Sequence, residues 1–454
     1  MSDPDKPMKD AAMAKDSAVV REGSVFSGVS HTWRALRHRN FRLFFGGQSI
    51  SLIGTWMTRT ATAWLVYRLT GSAILLGTVA FVGQIPIFLL APFAGVWVDR
   101  WSRRHVLLAT QVLAMFQSVV LAALTLTHRV NIQEILWLSA VQGVIDALDM
   151  PGRQAFLVQM VEDKQDLGNA IAINSSMVNV ARLVGPALAG LLIAATNEGW
   201  CFLMDGVSYL AVLASLLMMW VPVSAAKRAG TSMLEQLKEG WTYVSRSAPI
   251  RTILLLFAVV NLMGMPFTVL MPVFASKVLH GGPHALGFLI GASGMGALVA
   301  ALSMAARGSV RGLTKLVPIS AALFGGGLIL LGLSRSLWIS LVLMMLSGFG
   351  MMQGMAASNT IIQTIVSEDK RGRVMSYYTM AFVGMIPFGS LLAGAMANAI
   401  GAPLTVIVNG SVVIASAVWF TTCLKAVRRE IKPIYQELGI MPPTETMAVE
   451  TSRN

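Results

Sequence analysis

The sequence predicts an all-α membrane protein, with twelve transmembrane helices in two six-helix, pseudo-symmetric halves. Three observations carry this. Of 454 residues, 55% are apolar and only 13% charged, with a mean hydropathy of +0.66. A soluble fold of this size cannot bury so much apolar surface, whereas a bilayer accepts it. The apolar residues fall into twelve runs, each near the ~20 residues needed to cross hydrocarbon. The basic residues are divided unevenly among the polar connections, the mark of a fixed orientation.

The runs lie at 42–67, 73–98, 105–127, 131–156, 169–195 and 199–222 (spans 1–6), then at 250–278, 284–306, 313–333, 336–365, 373–399 and 402–425 (spans 7–12). Residues 1–41 read as a cytoplasmic tail ending in a short interfacial helix. That helix, over 31–42, is basic and carries Trp33 and Phe41. Residues 42–222 form an N-terminal half and 250–426 a C-terminal half, joined by a polar cytoplasmic linker at 223–249. Residues 427–454 form a second cytoplasmic tail, expected to be disordered from 433. With both termini inside, the external loops hold only Arg68, Arg129, Lys277 and Arg335. Arg59 and Arg182 fall within spans, which leaves 29 of the 35 basic residues on the cytoplasmic side. The apolar run from Phe41 is too long for a cleaved signal peptide.

The halves repeat each other. Glu162-Asp163-Lys164 matches Glu368-Asp369-Lys370, Gly190 matches Gly394, and Asp205-Gly206 matches Asn409-Gly410, in the same order. Parallel repeats of this kind place a binding site between them, near the midplane.

The +13 charge is spread along membrane borders, so it signals topology and not nucleic-acid binding. Cys201 and Cys423 both lie in apolar runs, which removes a disulfide framework or a CxxC metal site. All six histidines lie in loops or at span ends. No span offers a Ser/His, Cys/His or metal constellation, so an enzyme is not expected.

Charges inside spans are few and therefore informative, since each costs roughly 2.5–3.5 kcal/mol at the bilayer centre on insertion scales. Span 1 has a polar stripe of Gln48, Ser51, Thr55, Arg59 and Thr62, at steps of 3, 4, 4 and 3. Span 4 has Gln142, Asp146, Asp149 and Arg153. Span 5 has Ser175, Asn179, Arg182 and Pro186. Each set shares one helix face that lipid would reject, so these faces should meet one another or line water. Arg59, Asp146 and Arg182 are expected at a central cavity, with Asp146 or Asp149 exchanging a proton. The alternative is a static ion-paired network that holds the N-half together. Asp205, near the outer end of span 6, is one further intramembrane charge. In the C-half, Met344, Met345, Met351, Met352 and Met355 of span 10 and Met263, Met265 and Met271 of span 7 offer adaptable apolar contact. Gln48, Thr55, Asn179, Asn261, Met265, Met355 and Asn359 are the candidate substrate-cavity residues.

The turn between spans 2 and 3 reads Gly95-x3-Asp99-Arg100-x2-Arg103-Arg104. This resembles the loop 2–3 signature of the major facilitator superfamily. The resemblance implies a cytoplasmic gate motif, to which Asp149 and Arg153 of span 4 are expected to pair through the arginines. Gly185, Pro186 and Gly190 in span 5 are similar to the Gly-Pro motif of the superfamily's exporters. Residues 149–156 and 371–374, with 387–390, narrow the likeness to the branch of the enterobactin exporter and the macrolide efflux proteins, over about residues 40–425. One departure stands out: Ser139 occupies the position where proton-coupled drug exporters often carry an arginine, three residues before Gln142-Gly143.

The resemblance implies a monomeric secondary exporter in the bacterial cytoplasmic membrane. It would work by alternating access and proton antiport on an amphiphilic small molecule, a siderophore or a drug, with the bilayer as its only other partner and no cofactor beyond the proton gradient. An importer of a polar metabolite on the same fold is the alternative. A non-transporting scaffold or enzyme is a third reading.

Overall fold

The structure, a computed structural model, describes residues 34–161, 163–220, 233–307, 309–440 and 442. Residues 1–33, 221–232 and 443–454, and the side chains of Gly95, Asp99 and Arg100, lie outside the described residues. Among the described residues, ten helices are long and apolar enough to cross a membrane. Spans 1 (Arg39–Thr70) and 4 (Ile132–Met160) are of similar length but less apolar, because they carry the two most strongly polar stripes. All twelve expected spans are therefore present as helices.

Local chemistry sets the ends. Span 1 stops at Gly71, whose φ of 62° a residue with a side chain rarely adopts. A reciprocal Asn131–Glu134 capping box starts span 4, and Asn197 caps span 6 (Glu198–Met218). Pro266 and Pro272 fall in span 7, which runs from Ala248 to Val278 through two π-turns, Val260–Gly264 and Phe274–Val278. Proline removes a backbone donor, and a wider turn accommodates the break. Span 11 is likewise interrupted, between Phe382 and Met385. Span 12 runs on to Glu437, well past its expected end at 425, and shortens the supposedly disordered tail. Val427, Ile431 and Tyr435, four residues apart, form one buried face that holds this extension to the C-half.

Each half packs in the same way. Span 6 lies against spans 1 and 3, and span 12 against spans 7 and 9; span 4 lies against span 2, and span 10 against span 8. Asp205 and Asn409, the matched positions of spans 6 and 12, are both 1% exposed. Even the interfacial pieces correspond. Before span 1, Arg34 and His38 each reach Asp166 at 3.1 Å, at the start of span 5. Before span 7, Glu239 of a linker helix over Met233–Arg246 pairs with Arg373 at the start of span 11, at 2.5 Å.

The two halves meet along two seams, span 5 against span 8 and span 2 against span 11. Both seams close on glycine, which lets backbones touch where lipid supplies no hydrophobic drive. A Cβ added at Gly190 would lie 3.0 Å from the Gly287 Cα, and one added at Gly394 would lie 3.0 Å from the Gly77 Cα. These contacts lie toward the end of the bundle away from the basic loops. Toward the basic end the N-half closes on a core of its own, including Phe41, Phe44, Leu107, Phe156, Met160 and Leu216, with no member from spans 7–12. Among the described residues, the close glycine contacts between the halves thus gather toward the far end of the bundle.

Candidate functional site

Where the seams end, three side chains of the N-half converge. Arg59 is set on span 1 one turn after Trp56, and its guanidinium carbon stands 5.2 Å from the Trp56 ring centroid. Arg182, midway along span 5, stands 5.7 Å from the same centroid. Gly185 makes this possible: a Cβ there would fall 2.6 Å from the Trp56 Cβ. Arg59 Nη2 lies 3.6 Å from Asp146 Oδ2, and Gln142 donates to Asp146 Oδ1 at 2.9 Å. The side chains of Arg59 and Asp146 are 53% and 24% exposed, deep within helices of spanning length, so they face open space. Arg182 crosses to the other half, its Nη2 4.0 Å from Met351 Sδ of span 10.

Asp149 behaves differently from Asp146, although they are three residues apart. It is 3% exposed. It pairs with Arg153 and accepts from Thr110 Oγ1 at 3.1 Å and from Gln111 Nε2 at 2.8 Å. Gln48 joins this packed recess, with Phe44, Leu107, Val212 and Leu216. This corrects two expectations: Asp149 is not on the open wall, and its partner is Arg153, not the basic turn. Arg103 instead donates to the Ala155 carbonyl at 3.3 Å and Arg104 to the Leu217 carbonyl at 2.9 Å. Two arginines of the basic turn thus bind carbonyls near the ends of spans 4 and 6, where the helix dipole attracts cations, and the Leu217 carbonyl is one the helix itself leaves unpaired.

The other candidates divide. Thr55, Met265, Met355 and Asn359 are partly exposed. Gln48, Asn179 and Asn261 are buried at 4%, 7% and 2%, and so are not on an open wall. Asn179 donates to the Ser175 carbonyl and Asn261 to the Phe257 carbonyl, each satisfied one turn back within its own helix. Pro186 and Gly190 of the Gly-Pro motif line the span 5–8 seam against Gly287.

Trp56 escaped the sequence reading, and Asp205 was marked there only as a further intramembrane charge without a role. Trp56 lies within the polar stripe of span 1, and a tryptophan between Thr55 and Arg59 was the available signal. Asp205 is held only at one oxygen, by Ser118 Oγ at 2.8 Å, while its Oδ1 has no partner. Its match to Asn409, whose Oδ1 is also unpartnered, pointed to a position reserved for a short polar side chain.

A partly exposed ion pair beside the contact between the two halves suits the handling of a solute more than a covalent reaction. The profile of the transmembrane secretion effector family, within the major facilitator superfamily, matches residues 30–447. The chain belongs to that family. Its relatives include the staphyloferrin A transporter of Staphylococcus aureus, 26% identical over 394 residues that cover 86% of this chain and 97% of the relative. Macrolide efflux protein A of Streptococcus pyogenes is 21% identical, covering 84% and 96%. The multidrug efflux pump Tap of Mycolicibacterium fortuitum is 25% identical, covering 77% and 87%. Among solved structures, a bacterial homolog of the human lysosomal transporter Spinster, inward-facing and unoccupied, superposes with a TM-score of 0.67. It is 13% identical and covers 88% of this chain and 98% of that one. A POT family transporter superposes at 0.69, with 12% identity, covering 86% and 96%. The protein is thus a multi-pass membrane transporter of the major facilitator fold, not an enzyme, and the expected kinship with the macrolide efflux proteins holds.

Proposed function

We propose that this protein is a secondary active exporter of an amphiphilic small molecule, siderophore or drug-like, in a bacterial cytoplasmic membrane. It works as a monomer by alternating access, driven by proton antiport with no other cofactor, and nucleic acid plays no part. Its basic end is cytoplasmic, and in this reading the halves separate there to open inward. The observation that carries this reading is the Arg59–Asp146 pair: 3.6 Å apart, partly exposed, and placed where the seams between the halves end. An ionised pair is costly to keep at that depth unless it serves a water-filled path. Proton uptake by Asp146 removes the charge that holds Arg59, and so changes the wall between the inward- and outward-open forms. The absence of an arginine at Ser139 leaves Arg59 and Arg182 as the cations that tune it. The efflux and siderophore relatives supply the substrate class.

The test is pH-gradient-driven efflux in inverted vesicles. Asp146→Asn should abolish it while the purified protein keeps its melting temperature. Undiminished coupled efflux in that variant removes Asp146 from the mechanism.

A further inference from the structure

The vestibule wall is electrically unbalanced. Arg59 and Arg182 both stand over Trp56, at 5.2 and 5.7 Å, so their guanidinium carbons are no more than about 11 Å apart. Among the described residues, one carboxylate lies within ion-pair distance of them, Asp146 at 3.6 Å from Arg59, and Asp205 also lies within electrostatic reach of Arg59. Among the described residues, Arg182 has no acid within ion-pair distance, and its nearest polar neighbour is the Met351 sulfur. The opposite wall supplies nothing, since residues 248–367, which contain spans 7 to 10, include no Asp or Glu. Asp149 is neutralised by Arg153 in its own packed recess, and Asp205 faces Ser118 inside the N-half.

The geometry points to an organic anion as the transported ligand, its oxyanion head held by Arg182 and Arg59 and its apolar body against Trp56 and the span-10 methionines. The inference rests on reading this wall as the transport vestibule. Two guanidiniums in a weakly screening pocket repel each other, and one of them lacks a counter-charge. An incoming carboxylate relieves both costs. The planar guanidinium fork matches a carboxylate with two parallel hydrogen bonds, which ammonium or neutral ligands cannot make. Trp56 is fixed between the cations by Gly185 and presents an aromatic face to the ligand body. Met351 and Met355, and Met265 from span 7, offer a polarizable, adaptable opposite surface. The same oxyanion chemistry would also accept an anionic lipid headgroup, so the test excludes such lipids.

The full-length protein in phosphatidylcholine nanodiscs is titrated with 1-naphthylacetate and with 1-naphthylmethylammonium, two probes with the same ring and opposite charge. Binding is read by calorimetry. The anion should bind at least about tenfold more tightly than the cation, the effect expected of a charge-assisted pair. Arg182→Gln should erase most of that preference, and Arg182→Lys should keep part of it, while both variants melt within a few degrees of the parent. Equal or tighter binding of the ammonium probe, no binding of the acid, or an undiminished preference in Arg182→Gln overturns the inference. Because binding is measured without a gradient, it reads the ligand class even if Asp146→Asn leaves coupled efflux intact and the antiport reading fails.

Discussion

Gly185 of span 5 lies against Trp56 of span 1 so closely that a Cβ at 185 would sit 2.6 Å from the Trp56 Cβ and 2.9 Å from the Ile53 carbonyl oxygen. The approach sets where the Trp56 ring stands, and both Arg59 and Arg182 are arranged around that ring. A small residue beside Pro186 in span 5 is thereby linked to the charged wall of the vestibule.

Gly185→Ala should therefore push spans 1 and 5 apart and misplace Trp56. Overpacking of this kind costs about 1–3 kcal/mol. We expect efflux to fall by roughly tenfold in vesicles, because a small displacement at a binding wall is amplified in rate, while the variant still inserts. Wild-type efflux from Gly185→Ala would disconnect the motif from the site.

Asp149 is buried against Arg153, and the cost of breaking such a pair lies in the charge left behind. Arg153→Met alone should destabilise the protein by about 3–5 kcal/mol. Asp149→Leu with Arg153→Met together should recover most of that loss, since apolar replacement of both partners leaves no orphan charge. Melting of the single and double variants in detergent checks this. A double variant as weak as the single would show that Thr110 and Gln111 require the carboxylate.

The far-end seam gives a direct test of alternating access. A Cβ at Gly291 of span 8 would stand 3.8 Å from the Ala187 Cβ of span 5. That is close to the mean separation of about 3.8 Å in disulfides. Ala187→Cys with Gly291→Cys, in a Cys423→Ser background, should cross-link readily under mild oxidation and stop efflux. Reduction should restore it. Cross-linking without loss of efflux would mean that this seam stays shut throughout the cycle.

The fold was legible in the sequence because its signals are local. Each span announces itself by a run of apolar residues, and each end by a cap such as Gly71 or Asn131. The repeat was legible in the matched Asp205-Gly206 and Asn409-Gly410. Span 12 ran longer than expected because amphipathic packing of Val427, Ile431 and Tyr435 extends a helix beyond the bilayer, where hydropathy no longer reports it. The site was only half legible. Periodicity put Gln48 and Arg59 on one face of span 1, and Asp146 and Asp149 on one face of span 4, but a face is wider than any one contact.

The sequence by itself determined that this chain crosses the membrane twelve times, in two matched halves, with a handful of charges on spans 1, 4 and 5. Hydropathy, charge asymmetry and helical period are properties of neighbouring residues, and they survive without a neighbour in space. Tertiary structure alone decided which of those charges stands partly exposed and which is packed away. Three residues along a helix turn a side chain by about 60° relative to one another. That rotation aims Asp146 at Arg59 and the vestibule, and turns Asp149 into the packed recess with span 3. It is set by where the other helices lie.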